Sequence, residues 1–329
     1  MFLSQYDYNL PEELIAKRPQ YPRDNSRLLI VNRKTKKIEI NNFINIKKFF
    51  SSDDLCIFNN TKVLKILLKG KKKNENIREI LLISQESSNT WKILTKKPKE
   101  EEIDFDKTLK GFLFKRTEEW FITFNQKPDL FIENNGLMPI PPYLDRESDK
   151  KDLVDYQTIY ASEDGSIAAP TAGLHFTKKY FEDFDITKDF ITLHVGLGTF
   201  KPIKSNDLEK HKMHHEQFLV KQSLIDKINL TRKKNNRILS IGTTVVRALE
   251  SVAIDKEKID KWSSTSLFIK DDFDFKLTDC LLTNFHLPKS TLLVLVSSFL
   301  GYELTMECYQ IAIKEKMRFF SYGDAMLIL

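Results

Sequence analysis

The chain is poor in several features that would define a protein class at once. It has 3 cysteines and 10 glycines in 329 residues, and no CxxC pair is present. The longest apolar run, "STLLVLVSSFLGY", is too short for a membrane span, which needs about 20 residues. The formal charge is only +6, which favours binding to polyanions but does not identify a particular one. These shortages argue against a cysteine zinc site, a disulfide framework and a membrane span.

The opening segment "MFLSQYDYNLPEELIA" lacks the charged, apolar and small-residue pattern of a secretory signal. With the low cysteine count, this predicts a protein of the reducing cytoplasm. The length favours two domains, and the 41% apolar content can build a substantial core.

The pattern of apolar residues changes twice along the chain. Residues 1–61 alternate a helical signal, "LPEELIAKRP", with short strands, "RLLIV" and "LCIF". Residues 62–150 contain strand-like runs, "IREILLIS", "TWKILTKK", "TLKGFLFKR", "EWFITFN" and "DLFIE". From 151 to 329 the helix and strand signals return, as in "RILSIGTTVVRALESVA", "YELTMECYQIAIKEK" and "AMLIL". We therefore predict an α/β domain (1–61 and 151–329) interrupted by an inserted all-β domain, a small barrel, at 62–150.

Four of the few glycines are concentrated in two stretches, "GSIAAPTAGLHFT" at 165–177 and "ITLHVGLGTFKP" at 191–202. Glycines after a strand let a ligand reach the backbone, whereas tight packing turns use glycine too. Neither stretch matches GxGxxG, so no dinucleotide fold is predicted. His175, His194 and His286 adjoin such turns and could titrate near neutrality, although a lone histidine is often structural.

Other polar motifs also allow two interpretations. Thr243, Thr244 and Arg247 open a predicted helix and could hold a carboxylate or phosphate, or simply cap it. The arginines of "RPQYPRDNSRLL" could bind a phosphate or carboxylate through their guanidinium groups, or they could form a network of ion pairs within the loop. "KHKMHHEQF" suggests a metal, but its spacing and the cap signal of Asn206 and Glu209 favour an exposed helix. Asp324, in "FFSYGDAML", follows a tight turn and could face a pocket.

Nine stretches of the sequence, in order and over nearly its full length, resemble the S-adenosylmethionine:tRNA ribosyltransferase-isomerase family of queuosine biosynthesis. They are "YDYNLPEELIAKRPQYPRDNSRLL", "LCIFNNTKVL", "MPIPPYL", "YQTIYASEDGSIAAPTAGLHFT", "ITLHVGLGTFKPI", "MHHEQF", "GTTVVRALES", "LLTNFHLPKSTLLVLVSSFLG" and "FFSYGDAMLI". The resemblance implies transfer and isomerisation of the ribosyl group of S-adenosylmethionine onto 7-aminomethyl-7-deazaguanine at the tRNA wobble position. The products would be epoxyqueuosine, adenine and methionine. It also implies an α/β domain interrupted by a β-barrel, and neither a metal nor a redox cofactor.

The chain departs from the family pattern in three loops. Lys270 to Phe273 replace a Pro-Gly-Tyr turn, His215 replaces a serine, and "KGKKKNENIREILLI" replaces a glycine-rich hairpin. These changes leave the main motifs intact.

The reaction that the resemblance implies needs a base and an acid, and we expect His175, His194 and Asp324 to supply them. We expect the loops 168–176 and 196–200 to contact the donor, and Thr243, Thr244 and Arg247 to hold its methionine carboxylate. The barrel and the basic residues 69–73 are expected to contact the anticodon arm of tRNA. The expected substrate-binding residues are Arg23, Asp24, Arg27, Asn59, Asn60, Thr61, Ala169, Pro170, Thr171, Gly173, Phe176, Gly196, Gly198, Thr199, Phe200, Thr243, Thr244, Arg247, Asn284, His286 and Tyr322.

Two other functions fit part of the sequence. An S-adenosylmethionine-dependent RNA methyltransferase would share the donor and the polymer but would not release adenine. A barrel that only binds RNA would not turn over the donor. For the function that the resemblance implies, a monomer without membrane association is expected.

Overall fold

A computed structural model describes residues 2–196, 198, 207–211 and 213–329. Their strands, in chain order, are β1 (Arg27–Val31), β2 (Ile38–Asn42), β3 (Leu55–Asn59), β4 (Thr61–Val63), β5 (Leu67–Lys71), β6 (Ile77–Gln85), β7 (Thr90–Leu94), β8 (Glu101–Asp104), β9 (Lys110–Arg116), β10 (Glu119–Phe124), β11 (Glu163–Ser166), β12 (Thr187–Leu193), β13 (Glu216–Leu219), β14 (Ile238–Ile241), β15 (Ser263–Thr265), β16 (Cys280–Asn284) and β17 (Ala325–Ile328). Their α-helices are α1 (Asp129–Asn135), α2 (Asp152–Asp155), α3 (Lys178–Glu182), α4 (Gln222–Lys233), α5 (Thr243–Ile254), α6 (Thr291–Leu300) and α7 (Tyr302–Lys314).

The chain forms two compact units. One comprises Met1–Lys62, Pro142–Arg146 and Gln157–Leu329, and the other comprises Val63–Pro141 and Glu147–Tyr156. The first is built on a nine-stranded mixed sheet, and the second contains a closed six-stranded antiparallel barrel. The predicted fold class, α/β with an inserted β-barrel, is confirmed.

The sheet of the first unit has the order β15-β13-β12-β3-β14-β16-β17-β1-β2. Strands β12, β3, β14 and β16 are parallel, whereas β17 runs antiparallel to β16 and parallel to β1. The carboxyl ends of four strands therefore meet the amino ends of β17 and β1 at one edge of the sheet. We call this edge the site edge.

Both faces of this sheet are buried, which explains its nearly continuous apolar strands. In β1, Leu29 and Val31 pack with α6 and α7, while Leu28 and Ile30 face an aromatic cluster around Phe58 and Phe176. This alternation follows from the two-residue period of a strand. The apolar run "STLLVLVSSFLGY" forms the buried helix α6, and "YELTMECYQIAIKEK" forms α7.

The barrel closes in the order β10-β7-β6-β5-β8-β9, with β9 paired to β10. Alternate residues of β6, including Ile80 and Leu82, point into its core. Two local predictions are wrong. "DLFIE" lies in helix α1, and "LPEELIAKRP" forms only a 3₁₀ turn, Glu12–Leu14.

In the described ranges, no single helix is long and apolar enough to cross a membrane. Helices α6 and α7 meet that criterion only together, across a bend of 114°.

Candidate active site

The site edge brings most of the predicted site residues together. Asn59, His194, Thr243 and Asn284 lie at or just beyond the carboxyl ends of β3, β12, β14 and β16. Asp324 precedes β17 at the same edge. In open sheets of this kind ligands bind outside the carboxyl ends of the strands, where the strand order reverses. The parallel pairing of these strands thus collects residues that are far apart in the sequence.

His175 is buried at this edge with both ring nitrogens engaged. Its Nδ1 lies 2.7 Å from Ser26 Oγ, and its Nε2 lies 3.3 Å from Asn284 Nδ2. Asn284 Nδ2 also donates to the carbonyl of Phe320 at 3.1 Å, which fixes the amide orientation. Nε2 of His175 is then an acceptor, and its proton is assigned to Nδ1, which donates to Ser26.

The surroundings of His175 keep it neutral. Burial, together with the positive charges of Arg23 and Arg318, lowers its pKa to about 3. The ring also stacks on Phe43, with centroids 5.0 Å apart. In this arrangement neither nitrogen is available to a substrate, so the geometry favours a positioning role. A role for His175 in proton transfer remains a prediction.

Asp324 connects the last turn to β1. One carboxylate oxygen accepts from the backbone N–H of Arg27 and the other from that of Arg318, both at 2.8 Å. Burial raises the pKa of this carboxyl, against the lowering effect of those two N–H donors and of the arginine charges. The turn predicted in "FFSYGDAML" is present, with Gly323 N–H donating to Phe320 O at 2.9 Å.

Two N-terminal arginines, Arg23 and Arg27, each donate to a main-chain carbonyl. Arg23 donates to Gln157 O at 3.0 Å, and Arg27 donates to Glu315 O at 2.7 Å. Asp24 is buried and accepts from Thr177 Oγ1 at 2.6 Å. This network ties the segment before β1 to the small-residue stretch that contains His175.

His194 follows β12 and has a more open environment than His175. Its Nδ1 lies 2.7 Å from Thr61 Oγ1, and its Nε2 has no hydrogen bond to a described residue. Burial lowers its pKa, while Glu163 and Asp164 act in the opposite direction. A half-buried imidazole, anchored at one nitrogen and open at the other, is the arrangement that a general acid or base requires.

Asn59, the last residue of β3, and Asn60, which follows it, join neighbouring strands. Asn59 is fully buried, donates to Leu193 O at 2.9 Å and to Thr244 Oγ1 at 3.2 Å, and accepts from the N–H groups of Thr61 and Leu193. Asn60 Oδ1 accepts from Thr192 Oγ1 at 2.7 Å. These contacts hold Thr61 where it meets His194.

Arg247, in α5, forms a buried ion pair with Glu216 of β13. Glu216 also accepts from the backbone N–H of Gly196 at 3.1 Å, and Arg247 Nε donates to Leu267 O at 3.2 Å. Arg247 Nη2 is buried without a hydrogen-bond partner. The exposed helix predicted for "KHKMHHEQF" is therefore wrong in its described part, because Glu216 enters a strand to meet Arg247.

The small residues at 165–176 leave room for the protein's own side chains. A Cβ on Gly173 would lie 1.9 Å from Tyr160 Oη, and one on Gly165 would lie 2.6 Å from His194 Nε2. A Cβ on Gly198 would lie 2.3 Å from Cδ2 of His214. Close contact of these loops with a donor remains a prediction.

The remaining predicted residues fall into three groups. Ala169, Pro170, Phe176 and Tyr322 are buried, whereas Thr171 is half-buried. His286 is also buried and bonds to Thr283 Oγ1 at 2.8 Å, and burial lowers its pKa to about 3. Thr199 and Phe200 lie outside the described residues.

Sequence reasoning missed four partners of the predicted residues: Ser26, Thr177, Glu216 and Trp262. Trp262 stacks on His194 with centroids 4.9 Å apart. Each of these contacts joins residues at least 31 positions apart, and the sequence carries no signal for such pairs.

Comparison with known proteins gives one consistent result. The family model described as "Queuosine biosynthesis protein" matches residues 3–328. The S-adenosylmethionine:tRNA ribosyltransferase-isomerases of Sulfurihydrogenibium sp. and Halothermothrix orenii are 44% and 43% identical to the chain, each over the full length of both proteins. The crystal structure of S-adenosylmethionine tRNA ribosyltransferase from Thermotoga maritima is 34% identical, with a TM-score of 0.56, and the match covers 99% of this chain and 100% of that one. The chain therefore belongs to the queuosine biosynthesis protein family, the S-adenosylmethionine:tRNA ribosyltransferase-isomerases, and it is a transferase.

Proposed function

We propose that the protein transfers and isomerises the ribosyl moiety of S-adenosylmethionine onto 7-aminomethyl-7-deazaguanine at the tRNA wobble position, giving epoxyqueuosine and releasing adenine and methionine. The observation that carries this proposal is the family match from residue 3 to residue 328. Full-length relatives at 43–44% identity support the same reaction class.

The proposed chemistry needs a proton acceptor near the ribose carbon beside the sulfonium and a proton or hydrogen-bond donor to the departing adenine. His194 is proposed for one of these roles, since its Nε2 has no hydrogen bond to a described residue. His175 and Asp324 are proposed to hold the site edge in shape, since their side chains are bonded to protein groups. Neither a metal nor a redox cofactor is proposed, because an acid and a base suffice for this reaction.

The donor is proposed to lie along loops 168–176 and 196–200, with its methionine carboxylate toward Thr243, Thr244 and Arg247. The amino end of the 12-residue helix α5 supplies unpaired N–H groups that favour an anion. The free Nη2 of Arg247 supports the same assignment.

The tRNA is proposed to contact the barrel and residues 69–73 through its anticodon arm, with the modified base outside the stack. We further propose that the protein works as a monomer in the cytoplasm.

Two isotopically labelled donors test the function. Purified protein is incubated with tRNA carrying 7-aminomethyl-7-deazaguanine and S-adenosylmethionine labelled either in the ribose or in the methyl group. Ribose label in the modified nucleoside, with free adenine, is the expected result, and it should be unchanged after chelator treatment. Methyl label in the RNA without adenine would indicate a methyltransferase instead. Binding of tRNA with no donor turnover would indicate an RNA-binding protein.

A further inference from the structure

Two residues pack against the imidazole of His194. On one side lies the indole of Trp262, with ring centroids 4.9 Å apart and an angle of 18° between the planes. Gly165 also packs against the ring, since a Cβ there would come within 2.6, 2.7 and 2.8 Å of Nε2, Cε1 and Cδ2. Because these distances are nearly equal, the backbone of Gly165 lies against the ring face rather than its edge.

The edge of the imidazole is fixed by a third contact. Thr61 Oγ1 lies 2.7 Å from Nδ1, so rotation of the ring about its stacking axis is restrained. The remaining nitrogen, Nε2, has no hydrogen bond to a described residue. Two face contacts and one edge contact thus determine the plane of the ring and the direction of Nε2.

Gly165 suits this position for two reasons. Its φ is +150°, a conformation that residues with a side chain rarely adopt. Any side chain would also displace the imidazole. Trp262 is 49% exposed, and its indole stacks on His194.

We propose that Trp262 is a positioning residue for the reaction: with Gly165 it clamps the His194 imidazole so that Nε2 is held toward the substrate at the site edge. The proposal rests on the proposed function, in which His194 moves a proton. Trp262 itself exchanges no proton. Its contribution is to keep the reactive nitrogen within the narrow range of positions that proton transfer tolerates.

The stacked indole also covers part of the half-buried His194 ring. Burial lowers the pKa of this histidine, and Glu163 and Asp164 of the neighbouring strand raise it. Lys62 pairs with Asp164 at 3.1 Å and partly offsets that carboxylate. Removing the indole exposes the imidazole to water, so the pKa of His194 should rise toward its ordinary value.

The experiment compares Trp262→Ala with Trp262→Phe in the full-length protein, and uses Tyr302→Phe, an exposed aromatic residue of α7 outside the proposed site, as the control. Adenine release is measured as a function of donor concentration and pH. For Trp262→Ala we expect kcat to fall about tenfold or more with the donor KM changed less than about twofold. Trp262→Phe keeps an aromatic face and should retain most of kcat, and Tyr302→Phe should match the wild type.

A second measurement needs no substrate. The imidazole of His194 is titrated by NMR in each variant, and its pKa should rise in Trp262→Ala but not in Trp262→Phe. Unchanged kcat and unchanged titration in Trp262→Ala would overturn the clamp, as would a rise in KM alone, which would make Trp262 a substrate contact. If the wild-type protein released no adenine, the proposed function would fail, while the titration would still decide whether Trp262 controls His194.

Discussion

Glu216 and Arg247 form an ion pair that is almost entirely removed from solvent, with side chains 5% and 6% exposed. The pair joins β13 to α5 and leaves one oxygen of Glu216 for the backbone N–H of Gly196. It therefore fixes the start of the loop that follows His194. A buried pair of this kind is costly to break because the remaining charge has no partner.

Arg247→Met should lower the free energy of unfolding by about 3–5 kcal/mol, since Glu216 would remain buried and charged. Glu216→Gln combined with Arg247→Met removes both charges and keeps an acceptor for Gly196, so at least half of the loss should return. Chemical denaturation measures the free energy of unfolding of the single and the double variant. The control is Lys227→Ala, which removes an exposed pair with Asp189 and should cost less than about 1 kcal/mol. A loss equally small for Arg247→Met would contradict the structural role of the pair.

Acidification should destabilise the protein through two buried histidines. Burial lowers the pKa values of His175 and His286 to about 3, whereas the unfolded chain has values near 6.5. Between these values the unfolded state binds more protons, so the free energy of unfolding decreases as pH falls below about 6.5, by up to about 1.4 kcal/mol per pH unit for each histidine.

Denaturation between pH 8 and 5 tests this dependence, with His286→Gln as the variant. The variant should show a shallower decline below pH 6.5 and no change of slope between pH 7 and 8. An identical decline in the two proteins would show that His286 does not stay neutral in the folded state.

Gly173→Ala should destabilise the protein by about 1–3 kcal/mol, because its Cβ would lie 1.9 Å from Tyr160 Oη. That hydroxyl is buried and has no hydrogen-bond partner, so Tyr160→Phe alone should be nearly neutral or stabilising. The double variant should recover part of the loss, and melting curves of the three variants measure it. Strict additivity would mean that Gly173 serves something other than clearance of Tyr160.

Affinity for tRNA should fall steeply with salt, because contacts to phosphates release counterions. Lys72→Ala with Lys73→Ala, in the exposed turn between β5 and β6, should reduce the slope of log affinity against log salt by about 2. Filter binding or fluorescence anisotropy at several salt concentrations gives the slope. Lys178→Ala with Lys179→Ala is the control on α3. A slope that is flat in the wild type would rule out phosphate contacts as the main source of affinity.

The strands of the barrel were predictable from apolar residues at a two-residue period, and those of the sheet from short, nearly continuous apolar runs. "DLFIE" misleads because five residues fit a strand and a helical turn equally well. In "LPEELIAKRP" the length of the helix is limited by Pro11 and Pro19, and only a short 3₁₀ turn forms between them. "KHKMHHEQF" failed for a different reason, since the burial of Glu216 depends on an arginine 31 residues away.

The candidate site was predictable at the level of its loops, because polar residues that follow parallel strands gather at one edge. The function of each side chain was not predictable from the sequence. His175 and His194 have similar neighbours in the sequence. Ser26 and Asn284 engage both ring nitrogens of His175. Thr61 and Trp262 contact His194 but leave its Nε2 open. Such contacts depend on tertiary packing.

Single-turnover release of adenine from S-adenosylmethionine, on tRNA carrying 7-aminomethyl-7-deazaguanine, tests the central claim most directly. The wild-type protein and an exposed-histidine control, His215→Gln, should release adenine at the same rate. His194→Gln should be slower by about 100-fold or more, because it removes the proposed proton carrier. No adenine from the wild type would contradict the proposed reaction, and a wild-type rate from His194→Gln would contradict the assignment of His194.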